Sequence, residues 1–353
     1  MNAAAVPHRL ALVVIARDEA PRIARLLDSV KPWVDEMLVL DTGSRDDTVR
    51  VSRAHGARVE SFAWCDDFSA ARNRALDLAG ADWHLVLDAD EWLISGGEAL
   101  RALRDTPPGF VGALQLRDRF DQSPGRSAEA IAWLSRVLPG TVRYDGRVHE
   151  QPQHGLPVRR LPLVVGHDGY VDERLATKRG RNRRLLEQAL QDAPNDAYLW
   201  YQLGKDCAVY DEHDVAEAAF AHACELPGAA ESPWWLDLAV RRIFGLKCLG
   251  QHAHAVDFAQ PQMAAGADSP DFFFALGDLL LDMAATQPGQ AGELLPMVEA
   301  AFRRCLELGE HPEQPGAVAG RGSFLAAHNL AVVLDGTGRA DEASAVRAAH
   351  PWP

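Results

Sequence analysis

Residues 81–92 read ADWHLVLDADEW. An apolar run is closed by two aspartates, Asp88 and Asp90, that flank a single alanine, Ala89. The run, WHLVLDAD, predicts a buried strand ending at the carboxylates. Burying an isolated anion costs several kcal/mol or more, so the pair needs a partner. Hard divalent cations such as Mg²⁺ or Mn²⁺ take oxygen ligands and share their remaining positions with substrate phosphates. Two readings of the pair follow: a metal seat at a strand end, or an N-cap for the next helix.

The surrounding pattern favours the first. ALVVIA (residues 11–16), EMLVLD (36–41) and ARVESF (57–62) predict three further strands. EAPRIARLLDSV (19–30), SRDDTVRVSRAHG (44–56) and SAARNRALDLAG (69–80) predict the helices between them. Ser44 is the expected N-cap of the second helix, with Asp47 three residues on and Gly56 closing it. Strand–helix–strand units of this length imply a parallel sheet with right-handed crossovers. In open sheets of that kind, ligands bind beyond the carboxyl ends of the strands. Three acidic clusters fall at such ends: ARDEAP (16–21), DTGSRDDT (41–48) and DADE (88–91). A site where they converge suits transfer from a nucleoside-diphosphate donor, with the cation neutralising the leaving group.

After about residue 99 the strands VGALQLRDRF, AIAWLSRVL and LPLVVGHDG predict a mixed extension of the sheet. From about residue 173 the strand pattern stops. AYLWYQLGKDCAVYDEHDVAEAAFAHACELPGAA (197–230) has the length and spacing of a tetratricopeptide repeat, and looser copies follow. Single repeats cannot bury their apolar faces, so several must stack. The expected domains are residues 1–172 and 173–353.

The 353-residue chain carries a net charge of −14, most of its acidic excess after residue 172. That surface is a poor general binder of nucleic acid. Its five cysteines include no C-x-x-C pair, which fits a reducing compartment. No apolar run reaches the ~18 residues of a membrane span. The expectation is a cytoplasmic protein, meeting any lipid-linked acceptor at the inner membrane face.

Four stretches, VVIARDEAPRIARLLDSV, DEMLVLDTGSRDDTVRVSRAHGARV, FSAARNRALDLAGADWHLVLDADE and YDGRVHEQP, together resemble the family 2 glycosyltransferases of the GT-A fold. The arrangement of such a domain before tetratricopeptide-like helices is similar to a bacterial subgroup with lipopolysaccharide-core transferases and, more distantly, transferases of bacteriocin peptides. The resemblance implies an inverting, metal-dependent transferase using a nucleotide-sugar, a UDP-sugar first. By position it places Ala16, Arg17 and Glu19 along the base and ribose, and Asp41 on the uracil ring. Arg72 and Asn73 face the nucleotide, and Asp88 and Ala89 the ribose-diphosphate, with Asp88 and Asp90 on Mn²⁺ or Mg²⁺. Arg72 is read either as a phosphate partner or as a surface ion pair. Glu91 completes the acidic motif or orients a neighbour.

An inverting transferase needs a base for the acceptor's proton. Glu150 is the first candidate and Asp145 the second. His149 and His167 compete for the place of a histidine metal ligand. Trp92, Trp133 and Arg136 are candidates for the sugar or acceptor pocket. The basic run at residues 178–184 is read as a phosphate contact or a solvated face. The acceptor is a glycan or a peptide or protein, and the helical repeats bind it, a protein partner or a second copy. Two other classes compete: a non-catalytic repeat scaffold on a degenerate nucleotide-sugar domain, and a nucleotidyltransferase. ARDEAP lacks the glycines typical of the latter.

Overall fold

The computed structural model describes residues 7–123, 126–170 and 180–352. Two compact units divide between Leu185 and Leu186. The boundary expected between residues 172 and 173 lies outside the described residues.

In the first unit, β1 (Leu10–Ala16), β2 (Glu36–Asp41), β3 (Arg58–Ser61) and β4 (Trp83–Val86) run parallel in the order β3-β2-β1-β4. The sheet continues through β7 (Arg126–Pro139), β6 (Val111–Ser123), β10 (Val158–Tyr170) and β5 (Glu91–Ser95). β4 pairs antiparallel with β7, β7 with β6 and β10 with β5, while β6 and β10 are parallel. The result is a mixed, mainly parallel sheet of eight strands. A small hairpin of β8 (Arg143–Asp145) and β9 (Gln151–Gln153) stands apart from it.

β1 shows why its sequence is apolar without alternation. Leu10, Leu12 and Val14 join one core with Ile23, Leu26, Leu27 and Val30 of helix α1 (Ile23–Val30). Ala11 and Val13 join a second core with Ala71, Ala75 and Leu76 of helix α3 (Phe68–Ala79). A strand covered on both faces must be apolar on both. Gly80 ends α3 in the left-handed region at φ 53°, where its N–H donates to Leu76, a conformation a Cβ disfavours.

Two local expectations are corrected. β4 stops at Val86, so Asp88 and Asp90 sit in a turn, and EWLIS forms the additional strand β5. Helix α2 (Thr48–Ala54) takes Asp47 as its N-cap residue. Ser44 instead accepts from the Asp18 N–H at 3.0 Å, joining the first two acidic loops. The same stitching recurs where Glu19 N–H donates to Thr48 at 2.7 Å and Ala20 N–H to Asp46 at 3.0 Å. A short helix, α4 (Gly97–Ala102), follows β5.

Helix α5 (Arg181–Asp192) spans the division between units. The second unit is helical: α6 (Ala197–Val209), α7 (His213–Glu225), α8 (Trp235–Cys248), α9 (His252–Ala259), α10 (Pro270–Thr286), α11 (Ala291–Leu308), α12 (Phe324–Gly336) and α13 (Ala340–Ala349). α6 and α7 fill the stretch read as the first repeat. Successive helices bury each other's apolar faces. Ile243 of α8, Ala255 of α9 and Phe272 of α10 share one core. Phe302 of α11, Leu330 of α12 and Ala343 of α13 share the next. Asp196 caps α6 by accepting from the N–H groups of Tyr198 and Leu199, and Ser269 caps α10 through Phe272 N–H.

Candidate active site

The C-terminal ends of β1 and β4 open into a cavity of about 540 Å³. Ala16, Arg17 and Glu19 line it from β1, and Thr42 from the residue after β2. Asp88, Ala89 and Asp90 form part of its wall, as do Arg72 of α3, Trp133 and Arg136 of β7, and His167 of β10. The β8–β9 hairpin adds Tyr144, His149 and Glu150. Thus most of the residues expected at the site meet in one cavity, from loops far apart in sequence.

Charge organises its floor. Arg72 Nη2 donates to Asp88 Oδ1 at 2.6 Å, and Arg136 Nη2 to Asp88 Oδ2 at 2.9 Å. Arg72 Nε donates to Glu150 Oε1. Glu91 Oε2 accepts from the Asp88 N–H at 2.8 Å, and its Oε1 lies 3.4 Å from Arg136 Nη2. Glu91 therefore orients Asp88 and its arginine. Enclosure by the walls disfavours the Asp88 anion, yet Arg136 and Arg72 outweigh it and hold the carboxyl well below its ordinary range. Asp88 still keeps 35 % of its side chain open to the cavity. Burial pushes Glu91 the other way, up to about 7, against the pull of Arg136.

Asp90 is buried, with Oδ2 at 3.4 Å from His167 Nε2. The β5–β10 pairing sets this contact, because His167 stands opposite Glu91 in register. Between the two histidines, His167 is the one held against Asp90. His149 lines the cavity at a left-handed φ of 52°. A carboxylate oxygen and an imidazole nitrogen at this spacing suit a Mn²⁺ or Mg²⁺ ion that takes its other ligands from phosphate and water. Asp88 fits that role less well, since each of its oxygens is already met by a guanidinium. Among the described residues, no group of three or more His, Cys, Asp or Glu side chains gathers around one point.

Three expected residues lie outside the cavity lining. Asp41 is buried and caps its own turn, accepting from Gly43 N–H and Ser44 N–H at 3.2 Å. Asn73 clamps the β8 backbone, donating to Tyr144 O at 2.9 Å and accepting from Tyr144 N–H at 2.8 Å. Asp145 is exposed and accepts from Gly146 N–H. Trp92 also lies elsewhere, stacked under Arg25 at 3.5 Å. From the basic run, Arg181 and Asn182 line the cavity and Arg184 pairs with Asp66 at 2.8 Å, while residues 178 and 179 lie outside the described residues.

Sequence reasoning missed an aromatic wall. Trp64 and Phe68 meet edge to face at 4.8 Å, and both line the cavity. The signal was the stretch WCDDF before α3, where Asp67 caps the helix through Ala70 N–H and Asp66 accepts from Trp64 Nε1 at 2.8 Å.

Residues 11–141 match the family model described as glycosyl transferase family 2. A TPR repeat-containing protein of Synechococcus elongatus is 39 % identical over 212 residues, 56 % of this chain and 51 % of its own. The SPbeta prophage-derived glycosyltransferase SunS of Bacillus subtilis is 29 % identical over 213 residues, 58 % of this chain and 50 % of its own. Among solved structures, glucosyl-3-phosphoglycerate synthase from Mycobacterium tuberculosis, in complex with Mn²⁺, UDP and glucosyl-3-phosphoglycerate, is 28 % identical. That match covers 32 % of this chain and 44 % of the other, with a TM-score of 0.27. The chain spans about half the length of the curated relatives it matches. Residues 11–141 of this chain are thus similar to a glycosyl transferase family 2 domain, and paired helices of tetratricopeptide-like spacing follow them.

Proposed function

We propose that this chain transfers a sugar from a nucleoside-diphosphate donor, UDP-linked, to an acceptor hydroxyl or amide with inversion at the anomeric carbon. The observation that carries the reading is the cluster Arg72–Asp88–Arg136 beside Asp90 and His167, in a cavity of about 540 Å³. That volume falls within the ~300–1,000 Å³ of small-molecule sites.

The strand order suggests a linear arrangement of the donor. Ala16, Arg17 and Thr42 at the ends of β1 and β2 flank the nucleoside, with the Trp64–Phe68 wall closing one side. The diphosphate lies over the turn after β4. Asp90 and His167 would hold a Mn²⁺ or Mg²⁺ ion, which when bound supplies Lewis-acid neutralisation of the leaving diphosphate. Arg136 and Arg72 add fixed positive charge at the same place and orient Asp88 toward the donor's polar groups. Glu150 takes the acceptor's proton as it attacks the anomeric carbon. Its Oε1 is engaged by Arg72, which leaves Oε2 to face the acceptor. Arg72 thereby sets the base at a fixed position relative to Asp88. The acceptor is a glycan or a peptide or protein, docked by the helical repeats.

Incubation of the purified chain with Mn²⁺ and radiolabelled UDP-sugars tests this. Release of UDP is the expected result. Formation of UTP and sugar 1-phosphate when pyrophosphate is added would mean nucleotidyl transfer, and silence across the donor panel would favour a repeat scaffold.

A further inference from the structure

Two buried donors on residues that line the cavity, Tyr144 Oη and Arg72 Nη1, have no hydrogen-bond partner among the described residues. Both residues are more than nine-tenths buried, and both line the cavity. The Arg72 guanidinium stands 5.4 Å over the Tyr144 ring. Leaving a buried donor unsatisfied is unfavourable, and such groups are rare in folded proteins. Neither donor is a product of slack packing. Arg72 is fixed through Nε and Nη2 by Glu150 and Asp88. Tyr144 is fixed by the two-way clamp between its backbone and Asn73.

We infer that Tyr144 Oη and Arg72 Nη1 form a subsite for a hydroxyl group of the transferred sugar, so that Tyr144 determines which donor is accepted. The inference rests on the nucleotide-sugar reading above. Charge selects a hydroxyl over a phosphate. Arg72 already faces two carboxylates, Asp88 and Glu150, and a phosphate drawn between them would meet both at close range. A neutral hydroxyl accepts from Arg72 and exchanges a hydrogen bond with the phenol at no such cost. Burial, the largest influence on it, raises the Tyr144 phenol above its ordinary value, so it stays protonated and able to donate. The position also fits. Arg72 links Asp88, on the donor side, to Glu150, on the acceptor side, and the sugar bridges those two sides.

Isothermal titration calorimetry on the full chain with Mn²⁺ tests the subsite. The ligands are UDP, UDP-glucose, UDP-galactose and UDP-N-acetylglucosamine, with deoxy analogues of whichever sugar nucleotide binds best. Tyr144→Phe should leave the Kd for UDP unchanged and raise that for the sugar nucleotide about fivefold to tenfold. One deoxy analogue should bind wild type with the same loss, and lose nothing further in Tyr144→Phe. An equal loss for UDP would place the phenol on phosphate and overturn the inference. So would unchanged binding of every sugar nucleotide. If the variant does not fold, the deoxy series on wild type decides: no analogue weaker than the parent overturns the subsite. Wild type binding UDP but no sugar nucleotide would instead overturn the donor reading, and this subsite with it.

Discussion

Arg72 donates to Glu150 across 78 positions of sequence, and the same guanidinium holds Asp88 through its other edge. The Arg72 and Glu150 side chains are 7 % and 9 % exposed. Removing one member of such a pair strands the others in a low-dielectric wall, typically at about 3–5 kcal/mol. Arg72→Ala should therefore lower unfolding stability by about that much in urea. A surface ion pair would cost about 0–1 kcal/mol. A loss in that lower range would return Arg72 to the surface-ion-pair reading.

Glu150→Gln keeps an oxygen for Arg72 and removes the proton acceptor. Donor affinity should be retained, and transfer should fall by about 10²–10⁴-fold, the usual contribution of a positioned base. Normal turnover in this variant would move the base to another residue.

Asp90 and His167 are predicted to set the cation dependence, and Asp88 to act through its arginines. Losing an outer-shell partner alone weakens metal binding about 10–100-fold, so losing a ligand should cost at least as much. Asp90→Asn and His167→Ala should each raise the half-saturating Mn²⁺ concentration accordingly. Asp88→Asn should weaken the donor at saturating Mn²⁺ while leaving that concentration near the wild-type value. A Mn²⁺ shift for Asp88→Asn matching that of Asp90→Asn would put Asp88 back on the metal.

The backbone of this site was legible where the signal is local. Apolar runs marked β1, β2 and β4, and the acidic clusters marked their carboxyl ends. The strand end after β4 was overread because Leu87 continues the apolar run, although the chain has already turned. β5 was missed because it opens on a charged residue, Glu91, whose burial depends on Arg136 some 45 positions away. Pairings of that range leave no periodic trace, so the grip of Arg136 on Asp88 had no signature. Asp41 illustrates the opposite difficulty. An aspartate before Thr-Gly-Ser caps its turn or reads a ligand with the same residues, and the hydrogen bonds from Gly43 N–H and Ser44 N–H show the first of these.

His84 gives the first unit an acid limit. It is 1 % exposed on β4, and its Nε2 accepts from the Ala81 N–H at 3.3 Å. Burial, aided by Arg143, lowers its pKa from 6.5 to about 4. The unfolded chain therefore binds a proton between those values while the folded chain does not, and stability falls as pH falls through that window. The full loss, reached below pH 4, is about 3 kcal/mol from this residue. His84→Leu should flatten the pH dependence of stability between 6.5 and 4 relative to wild type. Equal slopes in urea titrations of the two proteins would remove His84 as the cause.

The second unit is predicted to be intolerant at Gly204. An alanine inside a helix ordinarily stabilises it by up to about 1 kcal/mol over glycine. Here a Cβ on Gly204 would come within 2.9 Å of three ring carbons of Phe220, which is 1 % exposed. α6 and α7 approach closely because this position is bare, so the clash outweighs propensity. Gly204→Ala should cost about 1–3 kcal/mol, as overpacked cores do. Phe220→Leu should recover part of that loss in the double variant, because the two positions share one contact. Additive losses, with no recovery, would mean that the ring is not what keeps residue 204 a glycine.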